Sequence, residues 1–575
     1  MAKNSRKKRR KIQDINKFAN FSNITGLNDD GADTLNDCLV EMATNNSQDI
    51  ATATPGGDET LCRQQQHPSW IRQMRISFED TAGWNRNFKN WVKGGLYPAG
   101  LLPNIDQEIA RNFKVKELSS FLLTNNDFVS GKDIRMATFE RWLLDSKHEE
   151  DGEERNGCVG IVDPVIPLRS SPDSKASQRL LLELISKSIA RKDAETVVSK
   201  LCRLTNMCCQ ELSTQDGMYR RQSPLKNGDR ISVSTKSSTS SIDDDDVIII
   251  HYSRKRWKKP FCFKINAWHY QKLRDRFMKI HSNTTTISSI AASIIGETDD
   301  CTSNKTIIEL ADRSFNVIIL ALLLRYSALS GGQLLDDLRG GGMQGAIHEA
   351  AFDVLEKHFS KPVDFAACKS QLLAVPWLEG FSSPFNATLP YFASAFPDLD
   401  WHFGSVGRFL ECNFDGYSGR EEFCQCNPPF SPGIMLSMAN HITSVLQKAD
   451  KNSTELTFCV IVPSADNRSK TNKNQAVAKS SAEASFRNMT SSIYCIKHII
   501  LKARDHGWVE GSQHLRSTKY KQSLYDTSII ILQSPRRGTN ETRLENLESD
   551  LRLAFATKHN DELIERKRKS SAINH

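Results

Sequence analysis

Apolar residues recur at helical spacing from about Trp70 to residue 145, with Trp84, Trp91, Phe113, Leu118, Phe121, Phe139 and Trp142 as anchors. This pattern predicts a mainly helical region. It returns over Lys175–Leu212, where Leu180, Leu181, Leu184, Ile185 and Ile189 share one face. Between these stretches, Asp145–Asp173 is acidic and then rich in Pro and Ser, which predicts an inserted loop. A second polar stretch, Gln222–Asp246, ends in Ser and Asp runs and predicts disorder. A short strand over Val247–Tyr252 follows, then the basic-aromatic stretch Ser253–Lys264 and more helix. From about Gln344 strand-like runs alternate with helical ones: Val363–Ala367, Arg408–Phe414, Glu422–Cys426, Thr457–Pro463 and Ser528–Gln533. That alternation predicts a parallel-rich α/β sheet with helices on its faces. Residues 1–65 are polar, which predicts disorder behind a basic head, and the last 35 residues read as charged helix and basic tail.

A chain of 575 residues exceeds what one core organises, so two to four domains are expected. The boundaries drawn here are 1–65 (basic tail), 66–343 (mainly helical, with polar loops near 146–174 and 222–246), 344–540 (α/β) and 541–575 (charged helix and tail). The longest nearly unbroken apolar run, Phe315–Leu324, has ten residues; a membrane span needs about 20. No apolar stretch follows the charged amino terminus, so a secretory signal is not expected. The reading is a soluble, intracellular protein without a membrane segment.

Net charge is +8, but its distribution says more. Lys3, Arg6, Lys7, Lys8, Arg9, Arg10 and Lys11 form one basic cluster, and Arg566, Lys567, Arg568 and Lys569 a second. Together they exceed the net charge, so the body between them is slightly negative. Such tails read as nuclear-import signals or nucleic-acid contacts, and a nuclear protein is expected. Around Trp257, Arg254, Lys255, Arg256, Lys258 and Lys259 suit a phosphate-contacting surface with a stacking ring. A strand with one solvated basic face explains them equally. No C-x-x-C pair occurs among the 14 cysteines, so no structural metal is expected.

The chemistry concentrates in Cys424-Gln425-Cys426-Asn427-Pro428-Pro429-Phe430, between a short apolar strand and the helical stretch Gly433–Gln447. Open α/β sheets place ligands at such strand ends. An acidic or amide residue, two prolines and an aromatic ring suit methyl transfer to an exocyclic amine of a nucleobase. That amine is a poor nucleophile because its lone pair is delocalised into the ring. The side-chain carbonyl of Asn427 and the backbone carbonyl of Pro428 can accept its two N–H bonds and turn the lone pair outward. Consecutive prolines fix φ near −65° and remove competing donors; Phe430 can stack on the base. The bland alternative is a stiffened turn with Phe430 in the core. Upstream, Gly380–Asn386 and Phe403–Gly407 are small-residue turns where a cofactor could approach backbone, although a plain loop explains either.

Gly404-Ser405 with Gly407, Asn427–Phe430, Phe458–Pro463, Gly511-Ser512-Gln513-His514, Ile529–Gln533 and Ser394-Ala395-Phe396-Pro397-Asp398 together resemble the cap-specific adenosine N6-methyltransferase family, the phosphorylated-CTD-interacting factors. The resemblance covers about residues 345–535, and the helical region from about 70 more loosely. It implies a Rossmann-type α/β methyltransferase domain packed on an N-terminal mainly helical domain. It also implies methylation, from S-adenosylmethionine, of N6 in the first transcribed 2′-O-methyladenosine of capped mRNA, with the capped mRNA 5′ end as partner. Carried over residue by residue, it places the acceptor adenine at Asn427, Pro428, Pro429 and Phe430. It makes Ser383, Pro384, Phe385 and Asn386, with Gly404, Ser405 and Asn427, cofactor contacts. Ala465, Asp466, Asn467 and Arg468, and Arg504, Asp505 and His506, would face substrate or cofactor, and Arg111 and Arg141 would meet cap phosphates.

Three features depart from the family's pattern. Its animal members begin with a WW module that reads phosphorylated polymerase tails. Here the stretch between Trp70 and Trp91 reads as helix or loop, so no recognisable WW module is expected; direct binding to the polymerase tail is doubted, and transcribing RNA polymerase II stays open as a partner. Pro432 stands where an acidic residue often follows the motif, and Ala465, Asp466 and Asn467 replace a Trp and a double Pro. Two other readings stay open: an adenine N6- or cytosine N4-methyltransferase acting on internal RNA or DNA sites, and a silent nucleic-acid-binding scaffold.

Overall fold

The computed structural model describes residues 103–123, 134–153, 163–219, 229–236, 247–254, 260–281, 304–331, 346–359, 377–412, 414, 422–464, 484–509, 520–534 and 541–556. Two compact units divide the chain, Met1–Gln64 with Asn227–Asp229, and Gln65–Lys226 with Arg230–His575. Of the first, only Asp229 is described. Both basic tails, Trp70, Trp84 and Trp91, Lys255–Lys259 and the expected strand Val363–Ala367 lie outside the described residues.

The helical expectation holds over α1 (Ile105–Leu123), α2 (Met136–Glu153), α3 (Lys175–Ser186) and α4 (Arg191–Tyr219). Their apolar faces close one core through Val115, Leu118, Leu122, Phe139, Trp142, Leu180, Leu184, Val197 and Leu201. A three-stranded sheet follows, in order β1 (Asp229–Lys236), β2 (Val247–Arg254), β3 (Phe261–Asn266). Next come α5 (Ala267–Ile280) and α6 (Asn304–Leu329). Tyr252, Phe263, Phe277, Phe315 and Leu320 of these elements share a core with Phe385, Phe392 and Phe403 from farther along the chain.

Both polar stretches expected as loops hold regular structure. Asp145–Glu153 continues α2, and Asp229–Lys236 is β1. Residues 163–166 are also built in, with Val165 and Ile166 in the helical core. For the first stretch the reason is charge pairing, which composition hides. Asp163 accepts backbone N–H bonds from Val165 (2.9 Å) and Ile166 (2.8 Å) and pairs with Arg111 (2.8 Å).

A six-stranded mixed sheet follows helix α7 (Glu349–Phe359). Its order is β5 (Phe392–Ser394), β4 (Trp377–Ser382), β6 (Glu422–Cys426), β7 (Leu456–Pro463), β11 (Thr527–Ser534) and β8 (Cys495–Leu501). The first four run parallel, whereas β11 is antiparallel to both β7 and β8. The sheet is therefore mixed, with its parallel strands grouped at one side. Every residue from Leu456 to Val462 is buried, as expected of a strand covered on both faces. Phe458, Val460 and Val462 meet Met438, Ile442 and Leu446 of α8 (Pro432–Lys451). Cys459 and Ile461 point the other way, toward α7 and α9 (Glu541–Phe555). The expected strand Arg408–Phe414 is instead a 3-10 turn at Phe409–Glu411.

Candidate active site

From β4 the chain moves outward to β5, and β6 returns on the other side of β4. That reversal is a topological switch point, where open α/β sheets bind ligands beyond the carboxyl ends of their strands. The turn Ser383–Asn386 leaves the end of β4, and Asn427–Phe430 leaves the end of β6. Two segments separated by 40 residues in sequence thus emerge from hydrogen-bonded neighbours.

The first segment is closed on itself. Asn386 Oδ1 accepts hydrogen bonds from Ser383 N–H (2.7 Å) and Ser383 Oγ (2.8 Å). Phe385 is buried and meets the Tyr326 ring edge-on at 5.5 Å, so it packs into the core rather than lining a cofactor cleft. Two cations of α5 hold the chain that follows. Lys272 Nζ donates to the carbonyls of Phe385 (3.2 Å) and Ala387 (2.7 Å). Arg276 donates to those of Ala387, Leu389, Pro390 and Phe403, at 2.8–3.3 Å. Beneath them, Glu379 of β4 accepts from the N–H groups of Thr388 (2.6 Å) and Leu389 (2.7 Å). Burial pushes the Glu379 carboxyl up to about 7, against the pull of those N–H groups and Arg276. Burial likewise pushes Arg276 down to about 10, and Lys272 well below its ordinary range.

Gly404 and Ser405 lie beside β5, where Ser405 bridges to Phe392. Gly404 has φ +107°, and a Cβ there would stand 2.3 Å from the Pro390 carbonyl oxygen. Its glycine serves close packing on that side. Gly407 (φ +125°) is different: a Cβ there would meet nothing within 4 Å, so space opens at the carboxyl end of β5.

In the second segment Asn427 is 5% exposed and Phe430 half-buried. The Phe430 ring meets Trp508 at 6.0 Å and Tyr525 at 6.3 Å, both edge-on, and packs against the core cluster that holds Trp377, Phe423 and Trp508. Trp508 belongs to β9 (Gly507–Val509), paired antiparallel with β10 (Tyr520–Gln522). Arg504 and Asp505 are exposed, Arg504 with φ +70°. Its N–H donates to the Ser523 carbonyl at 2.8 Å, which ties this turn to the Tyr525 loop. His506 is buried and does not face a ligand: its ring contacts the Lys502 carbonyl and Thr527 Oγ1, each at 2.7 Å. It props Trp508 from behind, with ring centroids 6.2 Å apart.

Arg111, read as a cap-phosphate contact, is 1% exposed and committed to Asp163 and Glu108. Despite desolvation, those carboxylates hold its guanidinium protonated. Glu108 also pairs with Arg325 (2.5 Å), which reaches Asp398 (3.0 Å). Arg111 therefore belongs to a buried network rather than to a surface. Arg141 is partly exposed and pairs with Glu183. Ala465–Arg468 lie outside the described residues. Sequence reasoning missed Glu379, Lys272, Arg276, Asp145, Trp508 and Tyr525: none carries a local motif, and all but Glu379 act on a segment distant in sequence. Among the described residues no group of three His, Cys, Asp or Glu side chains could hold a metal, and no helix is long and apolar enough to cross a membrane.

The family model described as "Phosphorylated CTD interacting factor 1 WW domain" matches residues 301–511. The expectation that the WW module is lacking is not borne out by this match, whose description carries that name. The described residues of the span form α6, α7, α8, β9 and most of the six-stranded sheet. The Mus musculus protein named mRNA (2′-O-methyladenosine-N(6)-)-methyltransferase is 27% identical over 235 residues, 40% of this chain and 28% of the relative. The Homo sapiens protein of the same name is 28% identical over 218 residues, 38% of this chain and 25% of the relative. The chain thus spans about a quarter of the length of the curated relatives it matches, and over about two fifths of its own length it is similar to proteins named as mRNA methyltransferases.

Proposed function

We propose that this chain is an RNA adenosine methyltransferase using S-adenosylmethionine, and that it modifies N6 of the first transcribed 2′-O-methyladenosine beside the 7-methylguanosine cap of mRNA. The observation that carries this reading is the placement of Asn427–Phe430 at the end of β6, beside the turn that leaves β4. Names of the relatives support the same substrate.

The groups present fit the methyl donor. Neutral hydroxyl, amide and backbone groups of Ser383, Pro384, Asn386 and Asn427 stand at the ends of β4 and β6, and open space adjoins Gly407. These residues would hold S-adenosylmethionine, which when bound supplies an activated methyl group. The protein's own part is orientation. Asn427 Oδ1 and the Pro428 carbonyl accept the two N–H bonds of the adenine amine, so its lone pair turns toward the donor. Phe430, braced by Trp508 and Tyr525, stacks on the adenine and fixes its plane. No general base is required, because the amine loses its proton after it has gained the methyl group.

The family description supports association with a phosphorylated CTD, and the basic tails support a nuclear location. The burial of Arg111 and the pairing of Arg141 favour a second reading, in which the same chemistry acts on internal adenines. Purified protein, labelled S-adenosylmethionine and matched RNAs beginning with 2′-O-methyladenosine, capped or uncapped, test both. Label on N6 of the first adenosine of capped RNA alone is expected. Equal labelling of both RNAs, or label at internal adenines, replaces the cap reading with the second one; transfer to neither rejects methylation of RNA.

A further inference from the structure

We infer that Asp145 is a positioning residue for the acceptor motif, acting through the first turn of α8; this rests on the methyltransferase reading above. Pro432 opens α8 and has no N–H, so the first donor at this helix end is Gly433. An N-cap side chain ordinarily takes such a donor. Ser431 is the N-cap here, yet its side chain makes no cap hydrogen bond. Its hydroxyl donates instead to Asp145 Oδ1, which also accepts the Gly433 N–H at 3.2 Å. The cap carboxylate therefore comes from α2, 286 residues away.

The contact reaches the motif directly. Ser431 N–H donates to the Pro429 carbonyl at 2.7 Å, so one residue is fixed to Asp145 by its hydroxyl and to the motif by its backbone. Phe430 lies between those two anchor points. Asp145 is itself held: Arg179 of α3 pairs with its Oδ2 at 2.9 Å and with Glu149 at 2.8 Å. One turn along each helix, His148 Nε2 and Ser437 Oγ are 2.7 Å apart, which aligns α2 with α8. Gly433 permits the approach, since a Cβ there would lie 2.7 Å from Asp145 Oδ1 and 2.9 Å from Arg179 Nη2. A buried carboxylate facing a helix N-terminus, with its own counter-cation, makes a rigid peg. Loss of that peg lets the turn carrying Phe430 shift while the turn leaving β4 stays in place.

Asp145→Ala, Asp145→Asn and Gly433→Ala test this in the full chain. Steady-state methyl transfer, calorimetric binding of S-adenosylmethionine and hydrogen exchange over 429–436 are the readouts. Asp145→Ala is expected to lower kcat by about tenfold or more, the scale of a small misplacement in a reacting pair. Its exchange over 429–436 rises, while donor affinity stays within about twofold of wild type. Asp145→Asn keeps an oxygen for Ser431 and Gly433 and restores most of kcat. Gly433→Ala, which keeps the charge but crowds the carboxylate, reproduces the loss even if Asp145→Ala folds poorly. Unchanged exchange in Asp145→Ala, or faster exchange at wild-type kcat, overturns the inference and leaves the proposed activity standing. A wild-type protein inactive on every RNA overturns both.

Discussion

Glu379 of β4 and Gln425 of β6 are register partners across a parallel pair. Two residues beyond Gln425 stands Asn427, and four beyond Glu379 stands Ser383. The motif and the adjoining turn are thereby delivered side by side from a pairing formed within the buried sheet. Lys272 and Arg276 of α5 hold the chain after the turn, and Asp145 of α2 holds the far side of the motif.

Replacing Asn427 by Ala removes the side-chain acceptor without disturbing β6. Methyl transfer is expected to fall by at least ~100-fold, the scale of losing one oriented polar group at a reacting centre. Calorimetry should show nearly unchanged donor binding. Near-normal turnover would reject the hydrogen-bond account.

Phe430→Gly removes a ring that Trp508 and Tyr525 brace from two sides. A stacked base contributes about 1–3 kcal/mol, so KM for RNA should rise at least several-fold. Kinetics identical to wild type would return Phe430 to a packing role alone.

Arg111→Met leaves Asp163 buried without its cation and Glu108 with Arg325 alone. Breaking a buried pair by removing one partner costs about 3–5 kcal/mol. Thermal unfolding should show a drop of several degrees, whereas a surface arginine would leave the midpoint nearly unchanged.

Glu379 gives stability a pH dependence of definite sign. Its folded-state carboxyl titrates at about 7, above its ordinary 4.5. Between those values the folded chain keeps a proton that the unfolded chain has released. The stabilisation is full below about pH 4.5 and is lost as pH rises to about 7, an effect of at most ~3 kcal/mol. His281, which burial pushes down to about 4, acts in the opposite sense below its ordinary range, so wild type alone is ambiguous. The discriminating quantity is the Tm of Glu379→Gln minus that of wild type. It should become more positive from pH 5 to pH 8; parallel curves would show that Glu379 is not held protonated.

Much of the sheet was legible because β6, β7 and β11 are short apolar runs with period-two faces, and α8 repeats Met435, Met438, Ala439, Ile442 and Leu446 at helical spacing. Strand β4 was not legible. Its second half, Gly380-Phe381-Ser382, reads as the start of a small-residue turn over Gly380–Asn386, yet Gly380 is there because a Cβ would stand 2.8 Å from the Phe409 ring and 2.9 Å from Cys426 Sγ. The polar stretch near 146–174 misled for a related reason. Composition records charge and polarity, but the pairing of Asp163 with Arg111 and of Asp145 with Arg179 turns those charges inward.

By itself, the sequence determined the helical periodicities, the apolar strands and the stiff Asn-Pro-Pro-Phe turn after β6, because each is a property of neighbouring residues. Only the tertiary structure decided which arginine is buried and that α5 holds the chain after β4. It alone decided that Asp145 caps α8 and that β4 and β6 bring their ends together. Those outcomes depend on contacts spanning tens to hundreds of residues, where burial and electrostatic pairing act and local pattern carries no record.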